Sequence, residues 1–309
     1  MRGASVRTRT YPREKRGIRM KMRVLAANGL IVLMAASLLS GCSVGAPAAA
    51  VPGTAETPPI VLVVASDLFL VGSPRVPFVL FDGNKPFDSA ESIEVTAYEL
   101  SGATSTPGWS GDATPYTDYE PQYWVAYPQL PHAGYWGLGA TIHLSDGGVT
   151  TGEFVIEAVE RSDSPGIGDR PPASHNRTLN TESDIRKLSS DAEPDLELYQ
   201  LTVADALNSE LPTVVTFATP GYCTSQLCAP VVNTVKAVAE KLRGKANFIH
   251  VEVYKTFDPL VYADEMQEWR LTSEPWTFVI DKQGVITGRL GGPVSPSELT
   301  QALTPDLAP

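Results

Sequence analysis

The chain predicts two folded units of different class, an all-β unit over residues 60–159 and an α/β unit over 196–309. Three observations carry this reading. Short apolar runs with period-two alternation fill the first region, strand-like and helix-like runs alternate in the second, and a Pro- and Gly-rich stretch without period separates them. With 309 residues, 43% apolar and 19% charged, the chain is long enough for two packed cores and too apolar for wholesale disorder. Nine basic side chains and one acid lie in residues 1–23, which leaves 15 basic against 34 acidic groups, a net of −19, for the rest. A body that acidic repels phosphate backbones, so nucleic-acid binding is excluded from the expected functions.

Behind the basic stretch runs an apolar segment, Val24 to Leu39, interrupted only by Asn28, Gly29 and Ser37. It is short for a membrane span and suits the core of an export signal. It ends in Leu39-Ser40-Gly41-Cys42, which resembles a bacterial lipobox. That resemblance implies removal of residues 1–41, a lipid on Cys42, and a chain held at the outer or periplasmic face of the cell membrane. Residues 42–59, mostly Ala, Pro, Gly and Thr, read as a flexible tether.

In the β unit, strands are expected at Ile60–Ala65, Pro77–Phe81, Ile93–Leu100, Tyr135–Leu144 and Gly152–Val159. Trp136, Leu138, Ala140, Ile142 and Leu144 share one face of the fourth, and Asp146-Gly147-Gly148 turns the chain into the fifth. The pattern resembles an immunoglobulin-like sandwich of about 100 residues. The aromatic stretch from Trp109 to Tyr127 is read as core and edge packing rather than a binding loop. His132 and His143 have no partner at metal-ligand spacing, and no metal is expected.

Residues 160–195 are read as a linker. Asn176-Arg177-Thr178 within it matches a glycosylation sequon by chance. In the α/β unit, Thr202 caps a short helix over Val203–Leu207, and Thr213–Ala218 is a strand. Val231, Val232, Val235, Val238 and Leu242 recur at helical spacing, with Gly244 as the stop. Ala246–Val253 is a second strand and Val261–Trp269 a helix. Trp276–Asp281 and Val285–Leu290 form a hairpin, and Ser295 with Glu298 has capping-box spacing for a last helix through Leu303.

Apart from Cys42, the cysteines are Cys223 and Cys228. A close pair in an oxidising compartment is either a structural disulfide or a redox centre. A short loop gains little from closure, which argues against a mere staple. The strand Thr213–Ala218 running into Cys223, the run Glu274-Pro275-Trp276-Thr277-Phe278 and the capped last helix together resemble the thioredoxin superfamily over residues 196–304. The resemblance implies a membrane-anchored thiol–disulfide exchange protein in which Cys223 attacks and Cys228 resolves. It implies protein thiols or disulfides of the cell envelope as partners, and no cofactor. Glu274, Pro275 and Tyr222 would position the substrate, with Glu274–Pro275 cis.

The sequence departs from that family in two ways. Four residues, Thr224 to Leu227, separate the cysteines. On a regular helix, residues five apart point about 140° away from each other. Either the segment is a loop and the helix starts near Ala229-Pro230, or oxidation unwinds a turn. Thr216 also stands where the family has a buried acid. A carboxylate at Glu274 is expected to raise the Cys223 pKa by like-charge repulsion, against the effect of the helix end. The alternatives are a non-catalytic thioredoxin-fold binding module with a structural disulfide, a thiol peroxidase, or a copper-chaperone-like protein. The last two resemblances rest on Thr219-Pro220-Gly221-Tyr222-Cys223-Thr224 and on the paired cysteines.

Overall fold

In the computed structural model the described residues are 60–101 and 104–307, without the side chains of 101–106. Cys42, the export signal and the tether lie outside them. The described residues cluster by close contacts as one compact unit. Among the described residues no helix is long and apolar enough to cross a membrane.

The N-terminal half is two β-sheets. The first joins β1 (Val61–Val64), β3 (Val76–Asp82), β8 (Tyr123–Ala126) and β7 (Thr114–Tyr116) in that order, with β4 (Lys85–Pro86) paired to β3. The second has the order β2 (Phe69–Leu70), β10 (Val149–Val159), β9 (Gly134–Leu144), β5 (Ala90–Ser101), β6 (Thr104–Asp112). Leu62, Phe78 and Leu80 of the first meet Val95, Trp136, Leu138, Ile142 and Ile156 of the second in one apolar core. Trp136, Leu138, Ala140 and Ile142 are buried while Tyr135 on the opposite face is 58% exposed, the alternation that the period predicts. Gly152 allows the two sheets to close, since a Cβ there would lie 2.1 Å from the Leu62 side chain.

All five expected strands form. Five further ones escaped the pattern for different reasons. β2 and β4 have two residues each and β7 has three. β6 is rich in Ser, Thr and Gly and contains Pro107, which an edge strand tolerates. β8 is buried on both faces and so shows no alternation.

The C-terminal half is built on a four-stranded sheet in the order β12 (Asn247–Glu252), β11 (Thr213–Ala218), β15 (Trp276–Ile280), β16 (Ile286–Gly291). β11 and β12 are parallel, whereas β15 runs antiparallel to β11 and β16 antiparallel to β15. Helices α3 (Cys228–Lys241) and α5 (Pro296–Leu307) cover one face through Val235, Val238, Leu299 and Leu303. The other face meets α2 (Val203–Leu207) and α4 (Asp264–Glu268) through Val203, Met266, Trp269 and Phe278. Thr202 caps α2 in a reciprocal capping box with Asp205. The helix expected over Val261–Trp269 is shorter. Its first residues instead form β14 (Leu260–Tyr262), paired with β13 (Tyr254–Phe257) in a hairpin.

The stretch 160–195 behaves as packed structure. It contains α1 (Ile185–Leu188), and Ser164, Ser174, Asn176 and Thr178 are buried. Gly168 and Asp169 exchange backbone bonds with Ile286, and Trp269 Nε1 donates to Ser174 Oγ at 3.0 Å. Asn176 is 3% exposed and its Oδ1 accepts the Val203 N–H at 2.8 Å, so the sequon asparagine serves the start of α2.

The two halves share a buried seam. Arg75, from the segment before β3, forks onto both Glu298 carboxylate oxygens at 2.6 and 2.7 Å and donates to the Gly291 and Pro293 carbonyls. Tyr123 donates to the same carboxylate and accepts the Ser295 N–H at 2.7 Å. Ser295 accepts the Glu298 N–H at 3.1 Å, as capping predicts, but the Glu298 carboxylate is diverted to Arg75. Asp118 of the β half completes the start of α5 by accepting from the Ser297 N–H and hydroxyl, both at 2.8 Å. Tyr116, Tyr119, Tyr123, Val79 and Val125 bury Val231 of α3. The aromatic stretch is therefore packing, as expected, and much of it packs across the seam.

Candidate functional site

Every residue of β11 is buried, and the strand delivers the chain to the C-terminal edge of the sheet at Ala218. A turn follows, closed by Tyr222 N–H to Thr219 C=O at 3.1 Å, and Cys223 comes next. Gln226 has φ 61, which breaks helical continuity, and α3 begins at Cys228. The four residues between the cysteines thus form a loop, the first of the two arrangements the spacing allowed. Gly221 is required here. Its N–H donates to Ser190 Oγ at 3.0 Å, and a Cβ would fall 2.8 Å from the Ser190 carbonyl oxygen.

Both cysteines are thiols. Cys228 is fully buried and Cys223 is partly exposed. One ligand atom from each of Cys223, Cys228 and Glu274 lies within 4.8 Å of the others. Cys223 Sγ accepts from the Cys228 N–H at 3.3 Å and meets the Ser225 hydroxyl at 3.2 Å. Its pKa is lowered to about 5, first by the hydrogen bond from the Cys228 thiol, then by the Ser225 hydroxyl and the Cys228 and Leu227 amides, against the cost of burial. The Cys228 pKa moves up, because its proton is held by the Cys223 sulfur and its site is dry. The like-charge repulsion expected between Glu274 and Cys223 is present, while the net shift of Cys223 is downward. Glu274 does stand beside the sulfurs, and its own pKa is raised by burial and by Cys223, Asp67 and Glu252. The hydrogen bonds to Cys223 outweigh this repulsion. Two sulfurs and one carboxylate form a donor set of the kind that suits zinc.

The Glu274–Pro275 bond is cis, as expected, and the Pro275 carbonyl accepts the Gly292 N–H at 3.0 Å. Tyr222 is 41% exposed and stacks on Phe257 at 5.1 Å, next to Tyr254. It belongs to an aromatic rim with the β13–β14 hairpin. Thr216 in the interior meets Thr277 Oγ1 at 3.2 Å.

Three groups behind the site went unnoticed in the sequence. Glu252 ends β12 and is buried, and its Oε2 accepts from the Ser190 N–H and hydroxyl at 2.8 and 2.7 Å. Ser190 in turn reaches Gly221 and Thr219, so a buried acid supports the thiol loop through one serine. Tyr119 of the β half points its hydroxyl at the Leu227 carbonyl, 3.4 Å away, and its pKa is raised by burial and by both cysteines. The signal for Glu252 was an acid at the C-terminal end of a buried parallel strand, where α/β proteins place their sites. His250 beside it bonds Tyr199 at 2.7 Å and the Ala218 carbonyl at 3.0 Å, and burial lowers its pKa.

No family model and no curated protein matches the chain. Solved structures with partial likeness include a thiol:disulfide interchange protein of the thioredoxin family from Chlorobium tepidum, 14% identical, covering 47% of this chain and 100% of that one with a TM-score of 0.33. StoA from Bacillus subtilis is 15% identical, covering 31% and 84%, with a TM-score of 0.26. CopC from Methylosinus trichosporium is 16% identical, covering 32% and 92%, with a TM-score of 0.24. The chain's structure neighbours thus include thioredoxin-family proteins, each over less than half of its length.

Proposed function

We propose that the protein is a thiol–disulfide exchange protein of thioredoxin-like fold, exported and held to the membrane by a lipid on Cys42. One observation carries the chemistry: a partly exposed thiol and a buried one stand together at a strand-to-helix junction, with hydrogen bonds converging on the exposed sulfur. The Cys223 thiolate attacks a partner disulfide. One S–S bond breaks, a mixed disulfide forms, and the leaving sulfur takes up a proton. Cys228 then gives up its proton and displaces the partner's remaining sulfur, so two electrons pass to the partner and Cys223–Cys228 becomes the disulfide. The reverse sequence oxidises a partner dithiol.

The buried acid that Thr216 lacks has a counterpart in Glu252, linked to the loop by Ser190, while Glu274 stands nearest the sulfurs and supports the role of proton acceptor for Cys228. Tyr222 and Pro275 flank the site as substrate-positioning groups. A glutathione redox titration of the purified protein tests the exchange, because a structural staple is far more reducing than an exchange centre. A pair that stays oxidised below about −300 mV would end this reading. Cys42→Ala should release the protein from the membrane fraction or block its processing. Unchanged fractionation with an unmodified Cys42 would remove the anchor.

A further inference from the structure

The outward face of the first β-sheet is covered over only part of its width. Val79, Tyr123 and Val125 bury against Val231 of α3, but Val61 and Val63 on the neighbouring edge strand remain 48% and 46% exposed. This uncovered remainder forms one wall of a groove of about 880 Å³. The opposite wall is the thiol loop at Ser225–Leu227 and the cis-proline segment Ser273–Trp276. Ser225, whose hydroxyl meets the Cys223 sulfur at 3.2 Å, and Glu274 both line it, so the groove runs beside the reactive thiol, one side chain away from it.

The spacing between the walls is fixed. Gly292 has φ +80, and a Cβ there would lie 1.8 Å from the Ala65 carbonyl oxygen, so backbone meets backbone where β1 ends. Ser273 Oγ donates to Asp67 Oδ1 at 2.9 Å, which ties the cis-proline segment to the same end of β1. The charged groups lining the groove are Asp67, Glu120 and Glu274, with no Lys or Arg among them.

We infer that this groove seats the partner polypeptide as an extended, cysteine-bearing segment with apolar side chains and flanking Lys or Arg, and that the β half thereby selects which disulfides reach Cys223. The inference rests on the exchange reading for the cysteine but not for the binding. Apolar side chains of the segment lie against Val63 and Phe81. Basic flanks face the three carboxylates, where opposite charge favours capture and like charge repels. Among the described residues no strand pairs with the outer edge of β1, which leaves that edge for an extended chain.

The test is fluorescence anisotropy of the reduced full-length protein with two labelled synthetic peptides. Both are Val/Leu-rich with serine in place of cysteine, one flanked by lysines and the other by glutamates. The lysine peptide is expected to bind about tenfold more tightly, a preference that fades with added salt. Val63→Lys, tolerated on an exposed edge strand, should abolish that preference. Val155→Lys, on the exposed face of the second sheet and outside the groove, should preserve it. Equal binding of the two peptides by the unmutated protein, or an undiminished preference in Val63→Lys, would overturn the inference. Turnover of oxidised glutathione, measured in parallel, is expected to be equal in Val155→Lys and the parent. If the parent binds the lysine peptide selectively but does not react with glutathione, the exchange reading fails and the groove assignment stands.

Discussion

Replacing Cys228 by alanine isolates the interaction that does most to acidify Cys223. The Cys228 thiol is the leading cause of the low pKa of about 5, while the Ser225 hydroxyl and the amides of Leu227 and residue 228 survive the substitution. A hydrogen bond to a charged group is worth about 1.5–3 kcal/mol, and one pKa unit corresponds to about 1.4 kcal/mol. Its loss should therefore raise the Cys223 pKa by about 1 to 2. At pH 6 a thiol of pKa about 5 is roughly nine-tenths ionised. In Cys228→Ala that fraction drops to between about one half and one tenth, so alkylation at pH 6 should slow roughly two- to tenfold. The assay is the pH profile of iodoacetamide labelling, followed by mass spectrometry. The parent reports Cys223 as well, because Cys228 keeps its proton and is buried. A midpoint that stays near 5 in the variant would refute the hydrogen-bond account. A parent midpoint near the ordinary 8.5 would refute the acidic thiol itself.

The same ionisation couples to folding: a thiolate with a lowered folded-state pKa adds stability that is fully present above the ordinary value of about 9 and is lost as pH falls through about 5. The stability advantage of the reduced parent over Cys223→Ser in denaturant titrations should grow from pH 5 to pH 9, and a flat difference would contradict it. Above pH 9 the raised Cys228 pKa works in the opposite direction, so the parent's advantage over Cys228→Ser should decline there. Glu274→Gln should lower both thiol pKa values by removing like-charge repulsion, yet slow release of a trapped mixed disulfide because Cys228 loses its proton acceptor; unchanged or faster release would remove Glu274 from that role. Arg75→Ala leaves Glu298 buried without its cation and should cost about 3–5 kcal/mol by chemical denaturation, with the Arg75→Met/Glu298→Met pair recovering most of it. Equal losses in the single and double variants would mean that the pair contributes only shape.

Period-two and helical patterns located most of the longer elements of both halves because each buries one face against a core. β8 and β6 were lost because one is buried on both sides and the other lies at an edge with a Ser- and Gly-rich sequence. In the site, Cys223, Cys228 and Glu274 were legible, since a thiol pair at a strand-to-helix junction and an X-Pro step leading into a sheet strand are both visible in the sequence. Glu252, Ser190 and Tyr119 were not, because each acts through a contact of 62, 62 and 108 residues' separation that no local pattern encodes. At Cys223 the repulsion by Glu274 could be inferred from residue type alone, whereas the donors around the sulfur that set the net shift depend on how the loop closes. Glu298 likewise read as half of a capping box, and only the fold reveals Arg75 as its partner.

The first turn of α3 is gripped by a hydroxyl that the chain contributes from Tyr119, 108 residues upstream of the Leu227 carbonyl it meets, with Val231 clasped one turn further on. Oxidation must bring two sulfurs now spaced by up to 4.8 Å to a bond of about 2 Å, and that displacement draws on this turn. In the proposed exchange reaction the midpoint potential of the couple would therefore be set partly by how firmly the tyrosines hold the helix. By thermodynamic reciprocity, the electrons stored in the pair set in return the strength of that grip. A partner that presses on the β half would alter the driving force of the electron transfer without touching either sulfur.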